Sequence, residues 1–129
     1  MREGERNVAG IRPFFIVRSM QASVEHYRDK LGFEPDVIIE DYFAIVSREA
    51  AAIHLKEIAP EVEPLPNSKR HPGARHDAFV SVVDPDGLYD ELVTRGATVH
   101  REIEDTDDGL RAFEIRDLDG YVLCFGRPT

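Results

Sequence analysis

Apolar residues recur at helical spacing in two segments of the chain. In the first segment they occupy positions 20, 24, 27 and 31, between Ser19 and Gly32. In the second they occupy positions 88 and 92, between Asp84-Pro85 and Gly96. Serine and aspartate are common helix N-caps, proline suits the first helical turn, and glycine often follows the last turn. The pattern therefore predicts two helices, each ended by a glycine.

Short apolar or alternating runs, which are typical of β-strands, lie on both sides of each helix. One run precedes each helix and three follow it, so the order strand–helix–strand–strand–strand occurs twice. This pattern alone leaves an internal duplication and a chance similarity of two βα units equally open. The predicted strands are Phe14–Val17, Asp36–Ile39, Tyr42–Ser47 and Ala51–Leu55 in the first half, and Ala78–Val83, Thr98–Ile103, Arg111–Arg116 and Tyr121–Phe125 in the second.

The stretch between the two halves, Glu57–Arg75, contains four of the eight prolines. Proline removes a backbone donor, so this stretch is not expected to supply a central strand or an interior helical turn. A plain connector is the simpler interpretation, and a lid over a pocket is the alternative. We divide the chain into one domain, 1–129, with module one at about 11–57, a connector at about 58–75 and module two at about 76–127.

The composition indicates which binding partners and which cell compartment to expect for this protein. The chain has 25 acidic and 16 basic residues and a net charge of −9, so we expect no nucleic acid partner. Its apolar runs are too short to span a bilayer, and no signal peptide is recognisable at positions 1–10. A single cysteine, Cys124, leaves no intramolecular disulfide. We therefore expect a cytoplasmic protein with no membrane partner.

A series of short motifs follows the order of the predicted elements. The motifs are Pro13–Val17, Ser23–Tyr27 with Leu31-Gly32-Phe33, Asp77–Val82, Asp84–Tyr89, Arg95-Gly96 and Arg116–Val122. The series resembles the vicinal oxygen chelate superfamily, which includes glyoxalase I, extradiol dioxygenases, fosfomycin-resistance enzymes and bleomycin-resistance proteins. The resemblance implies an α+β fold in which two βαβββ modules form an open barrel-like mixed sheet around a cavity. It also implies a homodimer.

In enzymes of this family, four side chains on the first and last strand of each module hold a divalent metal. By the resemblance, these positions correspond to Arg12, His54, Asp77 and Cys124. A guanidinium has no usable lone pair and would repel a dication, so we predict an Arg12–Asp77 salt bridge in place of a metal. The alternative is a three-ligand site of His54, Asp77 and Cys124. His76 would replace Asp77 only if the strand register slipped by one residue.

Strand alternation predicts which other side chains face the cavity. Phe14 and Phe79 fall on the cavity side of the first strands, and Arg111 and Phe113 share a face of a strand that borders the cavity in relatives. Phenylalanines with a few polar groups are typical of a ligand pocket, although three core phenylalanines would explain the pattern equally well. The predicted ligand-binding set is Arg12, Phe14, His54, Asp77, Phe79, Arg111, Phe113 and Cys124, with no catalytic and no metal-binding residue.

Two functions follow from these residues. The first is a metal-free small-molecule-binding protein of the bleomycin-resistance type, with no cofactor, which sequesters a small organic ligand and has a role in bacterial antibiotic resistance. The acidic charge favours a cationic ligand, and an aromatic one would stack on the phenylalanines. The second is a divalent-metal-dependent glyoxalase-like lyase or isomerase, or a dioxygenase. A purely structural module would have no use for a cavity.

Overall fold

The computed structural model describes residues 7–129. Module one contains strand β1 (Phe14–Ile16), helix α1 (Met20–Leu31) and strands β2 (Glu34–Ile39), β3 (Phe43–Arg48) and β4 (Ala51–Lys56). A short helix, α2 (Asn67–Arg70), lies in the connector. Module two contains strand β5 (Ala78–Ser81), helix α3 (Pro85–Arg95) and strands β6 (Thr98–Asp105), β7 (Leu110–Arg116) and β8 (Val122–Pro128). The predicted βαβββ order of both modules is confirmed.

Each module folds into a four-stranded mixed sheet with the same topology. The strand order is β1-β4-β3-β2 in module one and β5-β8-β7-β6 in module two. The first strand of each module pairs in parallel with the last, and the remaining neighbours are antiparallel. The predicted α+β class is confirmed, and the two sheets do not join into a closed barrel.

The two predicted helices begin and end where their capping residues indicate. The side chains of Ser19 and Asp84 each accept a hydrogen bond from a backbone N–H in the first turn, at 3.1 Å in both helices. Gly32 and Gly96 follow the last turns with φ angles of 71° and 87°. This left-handed conformation is strained for residues with a Cβ, which explains glycine at both sites. None of the helices formed by residues 7–129 is long and apolar enough to cross a membrane.

One hydrophobic core contains residues from both modules. Each sheet packs one face against its helix, and the helices α1 and α3 also contact each other. The other side of each sheet, which we call its open face, does not pack against the helix of its module. The fully buried members of the core include Val17, Tyr27, Leu31, Leu55, Phe113, Ile115 and Leu123.

The turn between β7 and β8 fastens module two to helix α1. The Tyr27 hydroxyl donates a hydrogen bond to the Asp117 carboxylate at 2.7 Å, and both groups are buried. Asp119 accepts a hydrogen bond from the Ser23 hydroxyl at 3.2 Å and one from the Arg18 backbone N–H at 3.2 Å. Buried carboxylates with several donors of this kind position one module firmly on the other.

The end of β3 makes the corresponding contact with helix α3. The Arg48 guanidinium donates two hydrogen bonds to the Glu91 carboxylate, at 2.8 and 2.7 Å. It also donates one to the Leu31 carbonyl at the end of α1, at 3.0 Å. These side chains are partly exposed, unlike the Asp117 contact. Each module therefore reaches the helix of the other from its last hairpin.

The connector packs against module two more closely than a plain linker would. Pro64 and Pro66 are buried, and the Leu65 backbone N–H donates a hydrogen bond to the Tyr121 hydroxyl at 3.3 Å. The expectation that this stretch holds no helical turn is wrong. Helix α2 begins directly after Pro66. Proline is tolerated at this position because a proline just before a helix does not interrupt the hydrogen bonds of the helix.

Candidate functional site

The open face of module one is lined with aromatic groups around one histidine. Phe14 on β1 lies opposite His54 on β4, and His54 lies opposite Ile45 on β3. The centroids of the Phe14 and His54 rings are 6.5 Å apart, and Phe43 packs on His54 edge-on at 5.6 Å. His54 Nε2 is buried and has no hydrogen-bond partner among residues 7–129. Aromatic side chains therefore surround His54 on this face.

Phe14 also lines a cleft of about 380 Å³ between β1 and the connector. Its side chain is 56% exposed, which is unusual for a phenylalanine. An ion pair between Arg18 and Glu63 holds the connector beside the end of β1. A cleft of this volume is large enough for a drug-sized molecule. Its other lining residues include Ile16, Glu63, Leu65, Asn67, Arg70, Asp77 and Tyr121.

The predicted salt bridge between Arg12 and Asp77 is wrong. One Asp77 oxygen accepts a hydrogen bond from the Asn67 backbone N–H at 2.7 Å, and the other accepts one from the Val122 N–H at 2.8 Å. Arg12 is exposed, and the ion pairs found within residues 7–129 do not join it to Asp77. The regular strands begin only at Phe14 and at residue 78, so strand alternation does not govern these two side chains.

The open face of module two carries a buried polar cluster. Phe79 on β5 lies opposite Cys124 on β8, and Cys124 lies opposite Glu114 on β7. Phe79 is 42% exposed, whereas Glu114 and Cys124 are only 4% and 6% exposed. The ligand atoms of His76, Glu114 and Cys124 all lie within 4.8 Å of one another. They line a cavity of about 40 Å³, far smaller than the cleft of module one.

The carboxylate in this cluster has basic side chains nearby but none at hydrogen-bond distance. Burial, followed by the nearby Glu114 carboxylate, raises the pKa of the Cys124 thiol to about 11. The nearest basic side chains to Glu114 are Arg75 and His100, each with a nitrogen 3.9 Å from a carboxylate oxygen. That distance is too long for a hydrogen bond. The Glu114 carboxylate is therefore buried without a close partner among residues 7–129.

Arg111 and Phe113 do not border either open face, so their predicted placement is wrong. Arg111 pairs with Asp86 of α3 at 2.7 Å, and Phe113 stacks on Phe125 in the core with ring centroids 5.2 Å apart. The antiparallel register explains this. It places residue 114 opposite Cys124 and Phe113 opposite Phe125, so Phe113 and Cys124 lie on opposite sides of the sheet.

Sequence reasoning missed two residues of the module two cluster. Counting across the turn between β7 and β8 would have placed Glu114 beside Cys124, since the two strands are antiparallel. Strand alternation favours Asp77 over His76 as the residue that faces the cavity. The chain bends at Asp77, and this bend allows His76 to reach the cluster while Asp77 turns to the backbone. No periodicity in the sequence marks such a bend.

The four positions that bind metal in the family do not fit a metal ion in this chain. Arg12 offers no lone pair, and both oxygens of Asp77 are engaged by backbone N–H groups. His54 and Cys124 are the two side chains of the set that remain able to bind a metal, one on each module.

Several solved structures share this fold. A glyoxalase-related enzyme from Clostridium phytofermentans has a TM-score of 0.74 at 18% identity, covering 98% of this chain and 100% of that one. TioX from Micromonospora sp. ML1 has a TM-score of 0.71 at 18% identity, covering 95% and 100%. The bleomycin-binding protein from bleomycin-producing Streptomyces verticillus, complexed with copper(II)-bleomycin, has a TM-score of 0.67 at 23% identity, covering 93% and 96%. At these identities the likeness shows the fold alone.

The sequence also matches a family, in agreement with the resemblance of its motifs. No curated protein sequence matches the chain. The family match covers residues 10–125, which include both modules and the connector. The chain therefore belongs to the Glyoxalase/Bleomycin resistance protein/Dioxygenase superfamily.

Proposed function

We propose that the protein binds and sequesters a small organic molecule in the cleft beside Phe14, as a binding protein of the bleomycin-resistance type. The observation that carries this proposal is the exposed Phe14 ring at the edge of a cleft of about 380 Å³. The cleft combines apolar side chains, among them Phe14 and Leu65, with polar and charged ones that can orient a ligand. Two solved relatives are bleomycin-binding proteins in complex with a form of the drug, which supports this class of ligand.

The chemistry of the cleft favours a planar cation. An aromatic ligand in the cleft would stack on the exposed Phe14 ring. Asp77 adds a carboxylate that no cationic side chain pairs with among residues 7–129, whereas the Glu63 carboxylate is paired with Arg18. The net charge of −9 would also attract cations over a longer range. Binding of this kind needs no metal ion and breaks no covalent bond, and we place it in the cytoplasm, in bacterial antibiotic resistance.

We further propose that the protein acts as a homodimer. Within one chain, Phe14 and Phe79 remain 56% and 42% exposed on the open faces of the two modules. Exposed aromatic groups on a sheet face are a common sign of an interface or a ligand site. If module one of one copy faces module two of another, both rings become covered and the cleft gains a second wall.

A metal-dependent enzyme using His54, Asp77 and Cys124 is the competing interpretation. It requires Asp77 to direct a carboxylate oxygen at the ion, but both oxygens accept backbone hydrogen bonds. Turning Asp77 away would leave the Asn67 and Val122 N–H groups without these partners, at a cost of about 1–3 kcal/mol each. The geometry therefore favours binding over metal-dependent catalysis.

Calorimetric titration with metal-free bleomycin, in the presence of a chelator, tests the binding proposal. We expect saturable binding that Phe14→Ala weakens by about tenfold, or about 1.4 kcal/mol. Val93→Ala is the matched control, because Val93 is a similarly exposed apolar residue on helix α3 and does not line the cleft. Absence of binding, or binding only after a divalent metal is added, would contradict the proposal. Sedimentation equilibrium showing only monomers would contradict the dimer.

A further inference from the structure

We propose that the protein has a second binding site, for a neutral phenol with one ring, where the β3–β4 turn of module one meets module two. The site is a cavity of about 450 Å³ between that turn, the end of β5 and the start of α3. We call this contact the open seam. It shares no lining residue with the cleft beside Phe14, so the inference does not depend on the function proposed for that cleft.

The corresponding contact between the β7–β8 turn and module one is filled by the chain itself, and we call it the filled seam. The Tyr121 ring stacks on the Phe15 ring of β1, with centroids 4.2 Å apart and an angle of 2° between the planes. The Tyr121 hydroxyl donates a hydrogen bond to the Ile16 carbonyl at 2.7 Å. A phenol ring with one hydroxyl therefore closes this seam.

The strand registers identify the equivalent residues of the open seam. Ala51 pairs with Arg48, and Tyr121 with Asp117, across the corresponding turns of the two modules. The parallel pairing of first and last strands then matches the remaining positions. The equivalent residues are Phe15 and Val80, Ile16 and Ser81, and Tyr121 and Ala51. The second residue of each pair lines the cavity, which therefore lies where a tyrosine ring lies in the filled seam.

The open seam leaves apolar side chains uncovered that the filled seam buries. Phe15 and Val17 are buried, whereas their equivalents on β5 and just after it, Val80 and Val82, are only partly buried. Both of these valines line the cavity, together with the Phe125 ring. A planar apolar ring placed against this wall would remove apolar surface from water, which favours binding.

A backbone carbonyl is in place to accept a hydrogen bond from the hydroxyl of the ligand. The Val82 N–H donates a hydrogen bond to β8 at 3.0 Å, as the Val17 N–H does to β4 at 2.9 Å. The C=O and N–H of one trans peptide bond point in opposite directions. The Ser81 carbonyl therefore points away from β8, to the outer edge of the sheet, as the Ile16 carbonyl points away from β4. The Ile16 carbonyl is the one that accepts the hydrogen bond from Tyr121.

The charged side chains around the cavity are already paired or solvated, which favours a neutral ligand. Arg48 donates two hydrogen bonds to Glu91, at 2.8 and 2.7 Å. Asp84 accepts a hydrogen bond from the Gly87 N–H as the N-cap of α3. The Glu49 side chain is 90% exposed. A charged ligand would find no unpaired opposite charge in these side chains, whereas a phenol needs only one acceptor.

Titration of the full chain with p-cresol, followed by NMR of its methyl groups, tests this site. We expect saturable shifts of the methyl groups that line the cavity, which belong to Ala51, Val80, Val82 and Leu88. The probe 4-methylanisole has the same ring and oxygen but no hydroxyl proton. It should bind about three- to tenfold more weakly, because it cannot donate the hydrogen bond. Shifts confined to Ile16 and Leu65 would place the probe in the cleft beside Phe14 and overturn the inference.

Ala51→Tyr supplies the missing ring from the chain itself. It should weaken p-cresol binding more than tenfold and raise the urea concentration at which half of the protein is unfolded. Thr94→Tyr is the matched control, because it adds the same side chain at an exposed position of α3 that does not line the cavity. It should leave the affinity for p-cresol unchanged.

Circular dichroism of each variant separates loss of the site from loss of the fold, and the methyl shifts of the wild type decide the question without any variant. The inference is overturned if the wild type shows no saturable shifts at the cavity, or if 4-methylanisole binds there as tightly as p-cresol. It is also overturned if folded Ala51→Tyr binds p-cresol as tightly as the wild type.

Discussion

The open faces of the two modules share one register and differ in chemistry. In both sheets the first strand lies beside the last, and the third strand pairs with the last from the other side. The register therefore makes three pairs of positions equivalent, which are Phe14 with Phe79, His54 with Cys124, and Ile45 with Glu114. The comparison teaches that the repeat supplies the backbone, while the side chains decide what each face binds.

The third pair accounts for most of the difference. Ile45 is apolar, and its neighbour His54 packs against the Phe43 ring. Glu114 places a carboxylate in the same position of module two, beside a thiol and a cavity of about 40 Å³. The central position of one face is therefore apolar, and that of the other is charged.

The largest predicted effect tests which side of the module two sheet faces the core. Phe113→Ala removes a ring packed between Phe125 and Tyr89, with centroids 5.2 and 5.1 Å away. It should lower the free energy of unfolding by about 3–5 kcal/mol. Phe79→Ala, on the open face, should change it by less than about 0.5 kcal/mol when both variants are measured at a concentration at which the chain is monomeric. Urea denaturation of both variants measures the difference, and similar losses would mean that our assignment of the two faces is wrong.

The same comparison shows what could be predicted from the sequence. The capping residues Ser19 and Gly32 predicted the limits of helix α1, and alternation correctly placed Phe14 on the face opposite the core. Periodicity fails outside the regular strands, which is why Arg12 and Asp77 do not pair. Within a strand, periodicity predicts which residues share a face. Which of the two faces is buried depends on how the strand pairs with its neighbours in the sheet. Phe113 was misplaced for that reason.

The two hairpin contacts between the modules differ in burial, because Asp117 is buried whereas Arg48 and Glu91 are partly exposed. Their contributions to the free energy of unfolding should respond to pH in opposite directions. Burial raises the pKa of Asp117 to about 6 from an ordinary 3.8, whereas the hydrogen bond from Arg48 lowers the pKa of Glu91 to about 2 from 4.5. Between pH 4 and 6 the folded chain keeps the Asp117 proton that the unfolded chain has lost. The contribution of Asp117 to stability therefore falls as the pH rises through this range.

Asp117→Asn removes this titration and isolates its effect. Relative to the variant, the wild type should lose about 2–3 kcal/mol of unfolding free energy between pH 4 and pH 6, measured by urea denaturation at each pH. Glu91→Gln is the comparison on the other hairpin. Glu91 makes its full contribution to the free energy of unfolding above pH 4.5, and this contribution is lost as the pH falls through about 2. Because the pair is partly exposed, its loss should be about 1 kcal/mol or less. Parallel pH profiles for wild type and Asp117→Asn would contradict this account.

The smallest predicted effect converts one open face toward the other. Glu114→Ile gives module two the residue that module one has at the equivalent position, Ile45. A buried carboxylate without a close partner costs desolvation free energy, and replacing it by an apolar group of similar size is often neutral or stabilising. With a chelator present, the free energy of unfolding of the variant should equal that of the wild type or exceed it by up to about 1 kcal/mol, measured by urea denaturation. A loss of stability in chelator would show that Arg75 and His100 stabilise Glu114 despite their distance.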